Sequence, residues 1–169
     1  NNDDAIWLIK MDTNLQKYFD KYKIKFAEYK HRAVFTVSES RDLKKLIPGM
    51  HCKCLFMKDD SGRFYLVGMP AEKRLDVKKL RQHFNAGKMH FASSDELFEH
   101  LKLVPGSVSI FGLVNNSDKD VKLIMDAEVW KAESVGFHPN VNTATVVLKH
   151  ADLERFYNSV VNYKEVVEL

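Results

Sequence analysis

Pro48-Gly49-Met50-His51-Cys52-Lys53-Cys54-Leu55-Phe56-Met57, followed by Lys58-Asp59-Asp60-Ser61-Gly62-Arg63 and then Phe64-Tyr65-Leu66-Val67-Gly68-Met69, is the stretch on which the fold turns. Two short apolar runs, rich in aromatic and sulfur side chains, flank a polar link that contains a glycine, which is the pattern of a β-hairpin. In the first run both alternating faces are apolar, with Leu55 and Met57 opposite Cys52, Cys54 and Phe56. Such a strand has to be covered on both sides, as a central strand of a mixed sheet is. Pro48-Gly49 ends the helix that precedes it.

Lys53 is the odd member of this run. A lysine among apolar strand neighbours is rarely buried without a partner or a task. Alternation puts it on the face of Leu55 and Met57, near the start of the strand, where a cleft mouth would keep its ammonium wet. Taken alone, the residue also reads as a snorkelling lysine at a strand end.

Upstream, Leu8, Met11, Leu15, Tyr18, Phe19 and Tyr22 recur at spacings of three and four and predict an amphipathic helix from Leu8 to Tyr22. A strand from Lys25 to Tyr29 follows. His31 to Val37 reads as a loop into Ser38, the expected N-cap of a helix from Glu39 to Leu46. Downstream come a helix from Asp76 to Phe84, a strand from Lys88 to Ala92, and the capping box Ser93-Ser94-Asp95-Glu96 opening a helix from Asp95 to Leu103. Val108–Val114 and Val121–Met125 are expected to pair as strands across Asn115-Asn116-Ser117-Asp118, with a short helix Ala127–Glu133 behind them. Ser134 to Asn140 reads as a loop in which Gly136 permits close backbone approach and Pro139 holds its predecessor extended. A strand Thr143–Leu148, a helix Ala151–Val161 and a strand Tyr163–Val167 complete an α/β chain, an irregular mixed β-sheet with flanking helices. At 169 residues, with no internal repeat or linker, it is expected to form a single domain.

Hydrophobic content of 45% with 29% charged residues excludes disordered and collagen-like classes. No apolar run approaches the ~20 residues of a membrane span, and no targeting signal is evident. The net charge of +3 permits an anionic partner without demanding one. Lys73, Arg74, Lys78, Lys79, Arg81 and Lys88 gather around one expected helix, a set that reads either as a phosphate-tracking face or as a solvated one. Cys52 and Cys54 are too close in sequence for an unstrained disulfide, which suits a reducing, cytoplasmic setting. The seven histidines are scattered, so no zinc pattern forms. G-x-S-x-G, P-loop, G-x-G-x-x-G and H-E-x-x-H patterns are all missing. The chain opens on Asn1 rather than Met, which leaves open a domain excised from a larger synthetase.

Four blocks in order resemble the YbaK/ProX family of aminoacyl-tRNA editing domains: His31-Arg32-Ala33-Val34-Phe35-Thr36; Pro48 to Asp59; Pro105-Gly106-Ser107-Val108 with Phe111-Gly112-Leu113; and Gly136-Phe137-His138-Pro139 with Asn142-Thr143-Ala144-Thr145. The resemblance implies hydrolysis of the ester joining a wrong amino acid to the terminal ribose of tRNA, with alanine on tRNA(Pro) the first expectation and a ribose hydroxyl of the substrate assisting a water. It implies no cofactor, no metal and no protein nucleophile. Lys53 corresponds to the family's essential lysine. Gly136, His138, Cys54, His31, Phe35, Thr36 and Gly112 are the expected substrate-binding residues, and Arg32, Lys78 and Lys79 the expected tRNA contacts. Mischarged tRNA(Pro) is the expected partner, with prolyl-tRNA synthetase as a second. A catalytically silent tRNA-binding or amino-acid-binding module is the competing reading. It draws on Cys54, which stands where alanine-removing members usually carry asparagine and exchanges an amide for a weakly bonding thiol. Arg32 likewise replaces the proline of the usual His-Pro-Ala-Val-Phe-Thr block.

Overall fold

The computed structural model describes residues 11–34 and 37–169. Its elements are α1 (Thr13–Lys21), β1 (Ala27–Lys30), α2 (Val37–Leu46), β2 (Met50–Asp59), β3 (Phe64–Pro70), α3 (Val77–His83), β4 (Met89–Phe91), α4 (Ser94–Leu101), β5 (Val121–Asp126), α5 (Ala127–Lys131), β6 (Ser134–Phe137), β7 (Ala144–Lys149), α6 (His150–Ser159) and β8 (Lys164–Val167). The strands form one mixed sheet in the order β1-β7-β6-β2-β3-β5-β8, with β4 pairing β2 outside this path. The expected α/β class is therefore found, with β2 and β3 at the centre.

Apolar side chains on both faces of β2 and β3 meet two cores. On one face Phe56, Phe64 and Leu66 pack with Leu15 and Phe19 of α1, Leu97 and Leu101 of α4, and Leu153 and Phe156 of α6. On the other, Met57, Tyr65, Val67 and Met69 pack against Leu80 of α3. Each such side chain taken fully out of water contributes about 1.5–3 kcal/mol before entropy is charged against it. The alternation that predicted cover on both faces thus has a helix layer on each side.

The hairpin turn is held by one buried carboxylate. Asp59 accepts from the amides of Ser61 (2.9 Å) and Arg63 (3.0 Å), from Arg63 Nε (2.8 Å) and from the Tyr65 hydroxyl (2.7 Å). The capping box forms as expected: Ser93 Oγ accepts from the Glu96 amide and Glu96 Oε1 from the Ser93 amide. Glu96 Oε2 also accepts from Lys58 Nζ at 2.6 Å, which ties α4 to β2. Gly49, at φ +84°, makes the tight turn from α2 into β2 that a side chain would resist.

Four expectations are corrected. The first helix begins at Thr13, capped by the Asp12 carboxylate, and the Leu8 end of the expected span lies outside the described residues. Ser38 lies within α2 instead of capping it. Ile110–Asn115, expected to be strand as far as Val114 and turn from Asn115, is a 3-10 helix opened by the Ser109 hydroxyl, which accepts from the Phe111 amide. Its first four residues, Ile110 to Leu113, are all buried, so they carry no period that separates a strand from a helix. β5 accordingly pairs parallel with β3, not with this segment. Finally, Ser134–Phe137, read as a loop, is a strand lying between β2 and β7.

Candidate active site

β2 and β6 run parallel for two rows only, Met50 with Val135 and His51 with Gly136. On its other flank β2 pairs with β3 throughout, and β4 joins it only from Met57–Phe91 onward. Residues opposed in a parallel row share a face, and the face repeats every second residue. Lys53 and His138, each two residues beyond the His51–Gly136 row, therefore stand on one face at the place where the strands part.

Lys53 lines a cavity of about 400 Å3 with Leu55, Met57, Lys73, Arg74 and Phe91. Among the described residues its ammonium has no hydrogen bond or ion pair. Lys73 differs, because it pairs with Asp126 at 2.9 Å and Glu128 at 3.3 Å. Lys53 is thus a cation with no ion pair of its own, in a recess where Glu72, Lys73 and Arg74 join apolar side chains and where Glu72 is drawn to Lys44, an arrangement suited to an anion or a developing oxyanion.

A second, smaller cavity of about 110 Å3 gathers His31, His51, Cys52, Gly136, His138 and Thr145. A Cβ added at Gly136 would approach Thr145 Cγ2 to 3.1 Å, so glycine keeps this cavity open. His138 Nδ1 donates to the Ala144 carbonyl at 2.9 Å. Burial of the ring lowers its pKa below the ordinary 6.5, opposed by the bond to Ala144 and aided by nearby His31. The neutral ring then leaves Nε2 as an acceptor. His31 donates from Nδ1 to the Arg32 carbonyl at 2.8 Å, and its Nε2 accepts from the Thr145 hydroxyl at 2.9 Å. The two imidazoles lie 6.2 Å apart, centroid to centroid. The linings of the two cavities adjoin along the chain at Cys52–Lys53 and Ala71–Glu72, and Lys44 of the smaller pairs with Glu72 of the larger at 3.3 Å.

The remaining expected residues fall in different places. Cys54 turns its thiol inward to the backbone of Ile110, and burial pushes its pKa up. Burial also drives the Cys52 thiol up to about 12. Neither sulfur is a thiolate at neutral pH, so neither is an activated nucleophile. Gly112 sits under Leu101 and Leu103, where a Cβ would come within 2.7 Å of Leu103 Cδ1, and it lines neither cavity. Arg32, Lys78 and Lys79 are exposed. Phe35 and Thr36 lie outside the described residues. Of the residues on the Lys53 cavity, Arg74 belongs to the basic set expected from sequence, whereas Phe91 has no place among the expected site residues. Phe91 is 64% exposed, and a large exposed aromatic on a short edge strand is the signal that was passed over. Among the described residues no group of three or more His, Cys, Asp or Glu is placed to hold a metal ion, and no helix is long and apolar enough to cross a membrane.

Known proteins share the sequence pattern and the fold. Residues 31–156 match the family model described as aminoacyl-tRNA editing domain. The prolyl-tRNA editing protein ProX of Acetoanaerobium sticklandii is 34% identical over 151 residues, spanning 89% of this chain and 92% of that protein. The prolyl-tRNA synthetase associated domain-containing protein 1 of Bos taurus is 30% identical, spanning 75% and 76%. A solved structure provisionally assigned as a trans-editing enzyme for prolyl tRNA synthetase superposes with a TM-score of 0.70 at 14% identity, over 95% of this chain and 99% of that one, which speaks to the fold alone. The chain belongs to the aminoacyl-tRNA editing domain family, and with it to the deacylases.

Proposed function

We propose that the chain removes a wrong amino acid, alanine first, from tRNA(Pro), with the acyl ester seated where β2 and β6 part. The observation that carries this reading is the unpaired Lys53 ammonium on the same face as the neutral His138 ring. An aminoacyl ester is already activated, so positioning plus one donor near the developing oxyanion is a sufficient device, such a donor contributing roughly 3 kcal/mol. Lys53 supplies that charge, either at the acyl oxygen or at the terminal phosphate. A ribose hydroxyl of the substrate orients the attacking water, and His138, which lines the neighbouring cavity, has Nε2 left as an acceptor. Both thiols are protonated and turned inward, which supports a mechanism without a covalent enzyme intermediate. Phe91, at the rim beside Arg74, offers a ring on which a terminal base can stack. The deacylated tRNA returns to prolyl-tRNA synthetase, whether that enzyme is joined to this domain or separate from it.

Single-turnover incubation with Ala-tRNA(Pro), Ser-tRNA(Pro) and Cys-tRNA(Pro) tests this reading. Deacylation of Ala-tRNA(Pro) well above the buffer rate is the expected result. Binding of tRNA with no release of any of the three amino acids would replace the enzyme with a silent module.

A further inference from the structure

The sheet has a hole in it at Cys54. Along β2 the odd residues turn their backbone groups to β3: the Asp59 amide donates to the Arg63 carbonyl, and the Ala71 amide donates to the His51 carbonyl. The even residues turn the other way, since the Ala92 amide donates to the Phe56 carbonyl and the Asp60 amide to the Lys88 carbonyl. On that side β6 has left after His51, and β4 arrives only at Met57. The N–H and C=O of Cys54 fall between, with no hydrogen-bond partner among the described residues. A central strand seldom leaves such a pair open, because an unpaired backbone group away from water costs about as much as a lost hydrogen bond. Cys54 lines a recess of about 270 Å3 with Phe56, Phe91, Ser93, Pro105 and Gly106, so the open pair looks into a space. Its thiol, meanwhile, points the other way, into the core.

We propose that this pair is the receptor for the aminoacyl group itself, a step that rests on the deacylase reading above. An α-amino acyl ester presents an ammonium and a carbonyl separated by one tetrahedral carbon, which is the donor and acceptor set of a single strand residue. In an antiparallel hydrogen-bonded pair two opposed residues exchange both bonds, and an extended segment can add to an open edge in this way. The substrate ammonium donates to the Cys54 carbonyl, and the acyl oxygen accepts from the Cys54 amide. When the water oxygen bonds to the acyl carbon, the former carbonyl oxygen takes up the negative charge and the Cys54 amide holds it. Collapse breaks the bond to the ribose oxygen, which takes the proton that the attacking water gives up, relayed through the adjacent ribose hydroxyl, and leaves a free amino acid and a tRNA 3′ hydroxyl. Recognition through the main chain also makes residue 54 a position at which the backbone acts and the side chain need not.

Amide hydrogen exchange by NMR on the full chain tests the pairing, with 3′-alanylamino-3′-deoxyadenosine as a non-hydrolysable probe and adenosine as the control. In the free protein the Cys54 amide should exchange far faster than its strand neighbours Lys53 and Leu55, and the probe should slow it about tenfold or more while adenosine does not. A Cys54 amide already as slow as its neighbours overturns the proposal. So does a probe that shifts the Lys53 and His138 resonances yet leaves Cys54 exchange unmoved. A protein that deacylates Ala-tRNA(Pro) with Cys54 unaffected loses the strand pairing alone, whereas one that neither binds the probe nor deacylates loses the reading beneath it as well.

Discussion

Lys53 and His138 stand on one face of the sheet, each two residues past the His51–Gly136 row at which β2 and β6 separate. Their placement follows from the length of a parallel pairing, not from any contact between them. Stopping that pairing after two rows opens the sheet at the place where the proposed site seats its substrate, with both groups on that face.

His138 provides a test with a definite sign. Its folded-state pKa lies below the ordinary 6.5, so the unfolded chain binds a proton more readily than the native one does. Its contribution to stability is complete above that unfolded value and declines as pH falls through 6.5 toward the lowered native value. Urea unfolding at a series of pH values should show this decline for the native protein and a flatter profile for His138→Asn. Identical profiles would show that the ring is not buried as described.

Asp59 holds the turn that sets the β2–β3 register. Replacing it by Ala removes the acceptor for four hydrogen bonds and strands Tyr65 and Arg63, so a decrease of about 3 kcal/mol in unfolding free energy is expected. A decrease below about 1 kcal/mol would mean that water replaces the carboxylate without cost.

Glu96 links α4 to β2, and the Lys58 ammonium beside it, with the Ser93 amide, brings its pKa down to about 2. A carboxyl with a lowered native pKa stabilises fully above its ordinary 4.5 and loses that contribution as pH falls toward 2. Acid unfolding of Glu96→Gln should therefore begin from a lower stability and change less between those pH values. The same acid midpoint and slope in both proteins would exclude the pair as a stabilising link.

The hairpin, the interleaved helices and the capping box were legible in the sequence because their signals are local: a glycine link, a spacing, a serine three residues before a glutamate. The stretch from Ile110 to Val114 does not announce its helix, because Ile110 to Leu113 are all buried and leave no polar face to mark a period. Lys53 stands out as a charge in an apolar strand, and the ordered blocks supply the role proposed for it. Cys54 drew attention for its side chain, whereas the structure turns that side chain into the core and leaves the backbone exposed to a recess. An unpaired main-chain edge depends on which strands stop where, and no residue type announces it. Gly112 matched a block yet serves to let Leu103 close over the 3-10 helix.

Phe91 and the exposed basic residues separate two ways of holding tRNA. Phe91→Ala should raise KM by the equivalent of roughly 1–3 kcal/mol with folding intact, and Phe91→Trp should retain activity, because stacking is tolerant of ring type. Joint replacement of Lys78 and Lys79 by Ala should weaken binding and reduce the slope of log affinity against log salt by about one for each phosphate that a lysine no longer neutralises. An unchanged salt slope would remove α3 from the tRNA surface.

Lys53 is tested most directly by the single-turnover rate of Ala-tRNA(Pro) deacylation by the native protein and by Lys53→Ala, each checked for its thermal midpoint. Lys53 has no partner among the described residues, so its removal should leave the midpoint near its native value. The rate should fall about a hundredfold or more, the decrease expected for one oxyanion-stabilising donor. A folded Lys53→Ala protein that deacylates at the native rate would contradict the claim that this lysine is the centre of the site.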